Sequence, residues 1–333
     1  MGRTTFFDLR GTHLFPEIKR TWKSHQKKLI EEVDSREDKV SLSVDGQCDS
    51  PGHNATYCTV TAMDVETNKV LDFEVVNVKE CKNSQVMEKE GFIRVILRLA
   101  TMLSLFVIST DRNTQIKKLM RVDQRFAEFI HQFDPWHMAK NLSKKLVKAA
   151  KKKGCEELMK WIPAIVNHLY WCVQKCGQNG EKLVEMFNSC IHHVVDRHEF
   201  PGEHYTKCPH ENDTSQYEWM TAGSLPHEAL KRIALHKTFQ KDLEKLNLNV
   251  FTTHLEVFHS LKIRYPPKSV FFEQTKMECG MMLAALDHNL NINRGFKSAL
   301  KEGRLVGRFK IAYHTFSKRF VAKKVRKNKS YDF

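Results

Sequence analysis

The chain has no long apolar run. The longest, around Ile93 to Ser109, is broken by Arg94, Arg98 and Ser104, so no stretch is long and clean enough to cross a bilayer as a helix. Residues 1–25 are charged and contain no apolar core of the kind a secretory leader needs, so none is expected. Cysteine is present without a framework. The nine residues are an odd number, sit mostly singly inside strand-like or helical segments, and point to a reducing compartment with thiols or metal ligands, not disulfides. The sequons at Asn54, Asn141 and Asn212 are then chance. No internal repeat and no low-complexity block occurs apart from a basic C-terminal stretch. What is there is enough for a globular protein: 333 residues, 41% hydrophobic and 28% charged, can bury one large core or two modest ones.

Acids are the minority charge, and the formal net charge is +15. The excess is uneven. From Arg294 to Phe333 thirteen Lys and Arg stand against Glu302 and Asp332, a net +11, and a second cluster, Lys140 to Lys153, lies on a predicted helix. Concentrated basic stretches mark a binder of phosphate backbones, so a nucleic acid is the expected partner. A solvated helix face with a disordered tail or an import signal is the plainer alternative.

The hydrophobic period divides the chain. Residues 1–38 read as a charged helical lead-in that starts abruptly, as if an upstream domain were missing. KVSLSVDG, TYCTVTAMDVE and KVLDFEVVNVKE then read as three strands, the last two joined by a turn at Thr67-Asn68. MEKEGFIRVILRLATML has helical spacing, LFVISTD is an apolar strand ending in Asp111, RNTQIKKLMRV is a short amphipathic helix, and RFAEFIHQFD is a fifth strand leading into a helix at Pro135. The order β-β-β-α-β-α-β predicts an α/β fold, the ribonuclease H-like mixed five-stranded sheet with flanking helices. Residues 39–150 would form its first part and 250–295 its last. Residues 151–249, helical, polar and rich in histidine, would be a mainly α-helical insertion, and 296–333 a basic tail.

In that sheet the first and fourth strands are neighbours, about 4.8 Å apart, so Asp45 and Asp111 at their ends can share a ligand. Two carboxylates so close repel unless a cation lies between them, and Mg²⁺ or Mn²⁺ suits their hard oxygens. A pair of such ions can activate the attacking oxygen and stabilise the leaving oxygen of a phosphodiester. Glu256, on the helix of HLEVFH, is the expected third carboxylate, although Thr253-x-x-Glu256 also fits a capping box. His259 follows on the same face, where it could contact phosphate or the metal's water. Asp49 competes with Asp45 for the first position, and Asp111 could instead cap the helix after it.

LSVDGQCDSPGHNATYC, VISTDRN, HQFDPWHMAKNL, TTHLEVFHS and AALDHNLNINR, in this order, resemble the catalytic region of eukaryotic cut-and-paste transposases of the Kolobok type, over roughly Phe7 to Arg294. The resemblance implies a ribonuclease H-like domain with an Asp-Asp-Glu metal triad on Asp45, Asp111 and Glu256. Related superfamilies carry a Cys/Asp-x-x-His motif that Asp134 and His137 match, giving these two a supporting or DNA-positioning role. Asp134 before Pro135 also fits a plain helix start. The resemblance implies DNA strand cleavage and strand transfer, double-stranded DNA (transposon ends and target) as the partner, the nucleus as the location, and an upstream DNA-binding module that this chain does not begin with. Whether the chain forms a homo-oligomer is left open by the sequence. The competing reading is a domesticated, transposase-derived DNA- or chromatin-binding protein without activity.

Cys172, Cys176, Cys190, His192, Cys208 and His210, with His198 and His204 nearby, contain enough ligands for a structural zinc. None of their spacings is the C-x2-C of a well-defined site, so the thiols read first as small core residues. Trp161, Trp171 and Trp219 likewise read as core before they read as platforms for a base.

Overall fold

The computed structural model describes residues 3–50, 54–210, 218–248, 250–268, 270–301, 304–314 and 318–331. Asn212, Glu302 and Asp332 lie outside them. The chain opens with α1 (Arg3–Leu9), which passes through a π-helical turn at Arg10–Leu14 into α2 (Phe15–Asp34). There follow β1 (Val40–Cys48), β2 (Tyr57–Asp64), β3 (Val70–Asn77), α3 (Ser84–Ala100), β4 (Leu105–Thr110), α4 (Thr114–Val122), β5 (Ile130–Phe133) and α5 (Pro135–Ala150). The expected order of strands and helices is therefore observed. The five strands form one mixed sheet in the spatial order β3-β2-β1-β4-β5, antiparallel among the first three and parallel from β1 to β4 to β5.

The turn between β2 and β3 works because Asn68 adopts a left-handed φ of 58°, a conformation asparagine tolerates better than most residues. α4 begins at Thr114, two residues later than its amphipathic pattern suggests. Its cap is Asn113, whose side chain accepts from the backbone N–H groups of Gln115 and Ile116, and this leaves Asp111 out of the capping role. β5 is shorter than the apolar run around it, because Gln124–Phe126 coils into a 3-10 turn first.

Both faces of the sheet are covered. On one, Phe92, Ile96 and Leu99 of α3 pack against Leu42, Val60 and Leu71, all buried; burial of one such side chain contributes about 1.5–3 kcal/mol. On the other lie α10 (Thr253–Lys262) and α11 (Gln274–Asn291), whose Leu255, Phe258, Met277 and Met281 meet Met63, Val70 and Phe73. Between α5 and α10 the chain forms α6 (Leu158–Lys175), α7 (Gly180–His193), α8 (Leu225–Ala234) and α9 (Lys237–Leu243), which build a separate core with α5. Buried Asp242 on α9 receives both Arg112 and Lys117, fastening these helices to the segment that follows β4.

The basic C-terminal stretch is structured where it is described. It forms two antiparallel hairpins, β6 (Ser298–Lys301) with β7 (Arg304–Gly307) and β8 (Phe309–His314) with β9 (Arg319–Lys324). Its end returns to α11, where Lys329 reaches Asp287 and the Ser330 N–H donates to Asn291 at 3.0 Å. In β8, Phe309, Ile311 and Tyr313 alternate with polar or small residues, a period of two that the surrounding positive charge obscures.

Candidate metal centre

Register, not only strand order, brings the two aspartates together. The last parallel pair between β1 and β4 is Ser43 with Ser109, so Asp45 within β1 and Asp111, the residue directly after β4, each stand two residues beyond that pair on the paths of neighbouring strands. Asp49 is committed elsewhere: its two carboxylate oxygens accept from the backbone N–H groups of Thr56 and Tyr57 and close the β1–β2 connection. That removes it as a rival to Asp45.

A third carboxylate joins them from α3. Glu88, Asp45 and Asp111 each offer an oxygen, and these oxygens all lie within 4.8 Å of one another. Gly46 makes the approach possible. A Cβ at that position would stand 2.5 Å from the Glu88 Cγ, far inside van der Waals contact. The sequence reading missed Glu88 because it sits inside a helix with no motif around it. The one local signal is the glycine next to Asp45, which marks a close approach without saying by what.

The electrostatics of the cluster are those of crowded anions. Burial raises the Asp45 carboxyl well above its ordinary range, and the charges of Asp111, Glu88 and Glu256 raise it further. Burial first, then Asp111 and Cys48, lift Glu88 to about 7, while the Asn113 side chain pulls the other way. Asp111 is held in place by accepting from the Asn113 N–H at 2.8 Å. A divalent cation is the simplest relief for such a set, and three hard oxygen donors, from β1, the end of β4 and α3, fit Mg²⁺ or Mn²⁺.

Glu256 lies outside this innermost group. It is on the first turn of α10, with 43% of its side chain exposed, and its Oε1 is 3.7 Å from His137 Nε2. Its charge still reaches Asp45. The capping box suggested by Thr253 is not formed; the N-cap is Thr252, and it makes no side-chain cap bond. Instead the buried Thr252 hydroxyl donates to Asp134 Oδ2. The other Asp134 oxygen accepts from the Trp136 N–H at 2.9 Å, the expected helix cap on α5. Asp134 thus does two structural tasks, starting α5 and anchoring the start of the helix that carries Glu256. His137 Nε2 lies 3.8 Å from Asp134 and faces Glu256, so it sits between the two acids.

His259 is buried against the cluster, with Nδ1 3.5 Å from Asp45 Oδ2. Burial, and then the charges of Lys262 and Lys268, push its imidazole down to about 3, so it is neutral at physiological pH. Lys262, one turn on, is buried and donates to Thr59; burial pushes it down to about 7. The sequence reading did not single it out, because a lysine on a helix is ordinarily solvated.

The histidine-rich segment forms a second group, composed differently from the expectation. Cys172, Cys176 and Cys190 are core residues: all three are buried among the apolar side chains of the helices, and the Cys176 thiol donates to Val173 O and Asn247 O. His192 packs on Phe200. Cys208 and His210 are brought together, with His193 and His198 as their neighbours. His204 faces Glu181 at 3.6 Å. Trp161 and Trp219 stack in a tilted pair, 5.7 Å between centroids, and with Trp171 line a cavity of about 530 Å³.

Compared with known proteins, the sequence matches no family model and no curated protein. No helix among the described residues is long and apolar enough to cross a membrane.

Proposed function

We propose that the chain is a metal-dependent DNA nuclease and strand-transferase of the Kolobok transposase type, built on a ribonuclease H-like domain with a helical insertion. The observation that carries the reading is the convergence of Asp45 and Asp111 at equivalent levels of two adjacent parallel strands, beside Glu88. The sheet order, antiparallel then parallel, supports the fold assignment. So does the motif resemblance, in which Glu256 is the third member of the triad.

In this scheme Asp45, Asp111 and Glu88 hold a divalent ion, and Glu256 faces the same centre from α10. Mg²⁺ or Mn²⁺, when bound, supplies the Lewis acidity that a phosphodiester displacement needs. The chain's own groups set the stage. The Thr252–Asp134 bond fixes the start of α10, neutral His259 backs Asp45 without competing for it as a cation, and buried Lys262 offsets part of the anionic charge. From Asp134 outward, α5 presents Lys140, Lys144, Lys145 and Lys148 to solvent, a stripe suited to duplex backbone rather than to base edges. Lys140 also lies 4.4 Å over the Trp136 ring.

The test uses labelled duplex, nicked and hairpin DNA with Mn²⁺. The parent cleaves, and Asp111→Asn does not rise above the metal-free background. Glu88→Gln weakens Mn²⁺ binding about 10–100-fold, whereas Glu256→Gln lowers cleavage with a smaller effect on Mn²⁺ affinity. Binding of DNA by both parent and Asp111→Asn, with metal-dependent cleavage by neither, supports the second reading, a transposase-derived DNA-binding protein that kept the fold and lost the chemistry.

A further inference from the structure

The described residues contain one more group of converging ligands, and it lies apart from the carboxylates. His193 is in the last turn of α7. After it the chain reverses through Asp196, at a left-handed φ of 58°, into a short hairpin. Glu199 bridges Lys207, the Phe200 N–H donates to Thr206 O at 2.7 Å, and the Cys208 N–H donates to His198 O at 2.9 Å. His198 and Cys208 therefore face each other across the mouth of the hairpin. His210 follows two residues on.

Each of the four side chains offers one ligand atom, and all four atoms lie within 4.8 Å of one another. Four ligands about 2.0–2.3 Å from a tetrahedral ion stand about 3.3–3.8 Å apart. Cys208 Sγ is already 3.5 Å from His193 Nδ1. The three imidazoles are mutually perpendicular: His193 to His198 at 4.9 Å and 85°, His193 to His210 at 5.4 Å and 84°, His198 to His210 at 5.0 Å and 85°. Rings packed for apolar contact alone have no reason to aim their nitrogens at a common point.

Two further observations point to a cation. His198 Nδ1 is buried and has no hydrogen-bond partner. Its other nitrogen, Nε2, lies 3.1 Å from Asp196 Oδ1, the outer carboxylate that commonly orients a metal-bound histidine and fixes its tautomer.

We propose that His193, His198, Cys208 and His210 form a zinc site. One thiolate and three imidazoles are the donor set a borderline-soft ion prefers, and four protein ligands leave no open position, so the site is structural rather than catalytic. The ion pins the 198–208 hairpin to the end of α7. It also fixes one wall of the aromatic cavity, since Trp219 stands edge-to-face on His193 and His198 at 5.5 and 5.9 Å. The site is independent of the proposed nuclease activity.

The full chain, expressed with zinc and desalted without chelator, should carry about one zinc per molecule by elemental analysis. Exchange for Co²⁺ should give the intense visible bands of a tetrahedral site together with a near-ultraviolet thiolate charge-transfer band. Cys208→Ser should abolish the charge-transfer band, His198→Ala should lower zinc affinity at least ~10-fold, and Cys172→Ser, in the core, should change neither spectrum nor stoichiometry. The proposal is overturned if the parent, given excess Zn²⁺ and desalted, retains well under one equivalent. It is equally overturned if the parent's Co²⁺ spectrum is six-coordinate, or if Cys208→Ser leaves the thiolate band intact. The parent's own stoichiometry and spectrum decide the matter even where a variant does not fold.

Discussion

Gly46 and Glu88 are in contact so close that no side chain fits between them: a Cβ on residue 46 would meet the Glu88 Cγ at 2.5 Å. Gly46→Ala must therefore push the Glu88 side chain away from Asp45. The expected outcome is a loss of about 1–3 kcal/mol in stability from overpacking, with Mn²⁺ affinity reduced in the same direction as in Glu88→Gln. Titration calorimetry with Mn²⁺ and urea denaturation measure the two effects. Unchanged Mn²⁺ affinity in Gly46→Ala would show that Glu88 does not help hold the ion.

The raised Glu88 carboxyl makes the metal-free protein pH-sensitive. An unfolded glutamate releases its proton near 4.3, whereas Glu88 in the folded protein keeps it up to about 7. Between those values the folded state binds more protons than the unfolded one, so stability falls as pH rises. In EDTA the loss across this window should be on the order of 3 kcal/mol. Mg²⁺ should restore it at pH 7.5, and Glu88→Gln should flatten the profile without metal. Denaturation curves at several pH values provide the comparison, and parallel profiles for parent and variant would refute the assignment.

Thr252 and Asp134 are both buried and bonded to each other. Thr252→Val keeps the shape and removes the donor, leaving a carboxylate oxygen short of a partner at a cost of about 1–3 kcal/mol. Because this bond anchors α10, hydrogen exchange at its first turn should speed up, and so should any metal-dependent cleavage fall. Exchange confined to α5, with α10 unaffected, would argue that the anchor lies elsewhere.

Lys262 has the opposite sign to Glu88. It is buried and gives up its proton near pH 7, well before an unfolded lysine does near 10.4. From about pH 7 upward the unfolded state binds more protons, so stability rises with pH through this group. Lys262→Met should stabilise the protein by about 1–4 kcal/mol at pH 7, and the gain should shrink toward pH 10. A stabilisation independent of pH would mean that the lysine is not held short of its proton.

Periodicity made most of the sheet legible. Val40, Leu42 and Val44 alternate with serines, and the apolar run of β4 ends in an acid; both are local properties of a few consecutive residues, which is why Asp45 and Asp111 could be chosen from the sequence. Asp49 could be set aside only in three dimensions, because its partners Thr56 and Tyr57 lie at the start of the next strand, across the β1–β2 connection. Glu88 was invisible for the same reason. Its helix reaches the strand ends only through packing of α3 on β2, β3 and β1, and nothing in its neighbours' spacing encodes that distance.

The histidine-rich segment shows the boundary most sharply. The sequence by itself determined that thiols and imidazoles were abundant there, and its apolar spacing favoured a core reading for the thiols, which Cys172, Cys176 and Cys190 follow and Cys208 does not. Which of them could share an ion was decided by the tertiary structure alone. A left-handed turn at Asp196 and one hairpin bring His193 and His198 to Cys208 and His210. Ligation depends on where side-chain atoms converge in space, and chain spacing reports that only when the intervening backbone is itself a fixed motif.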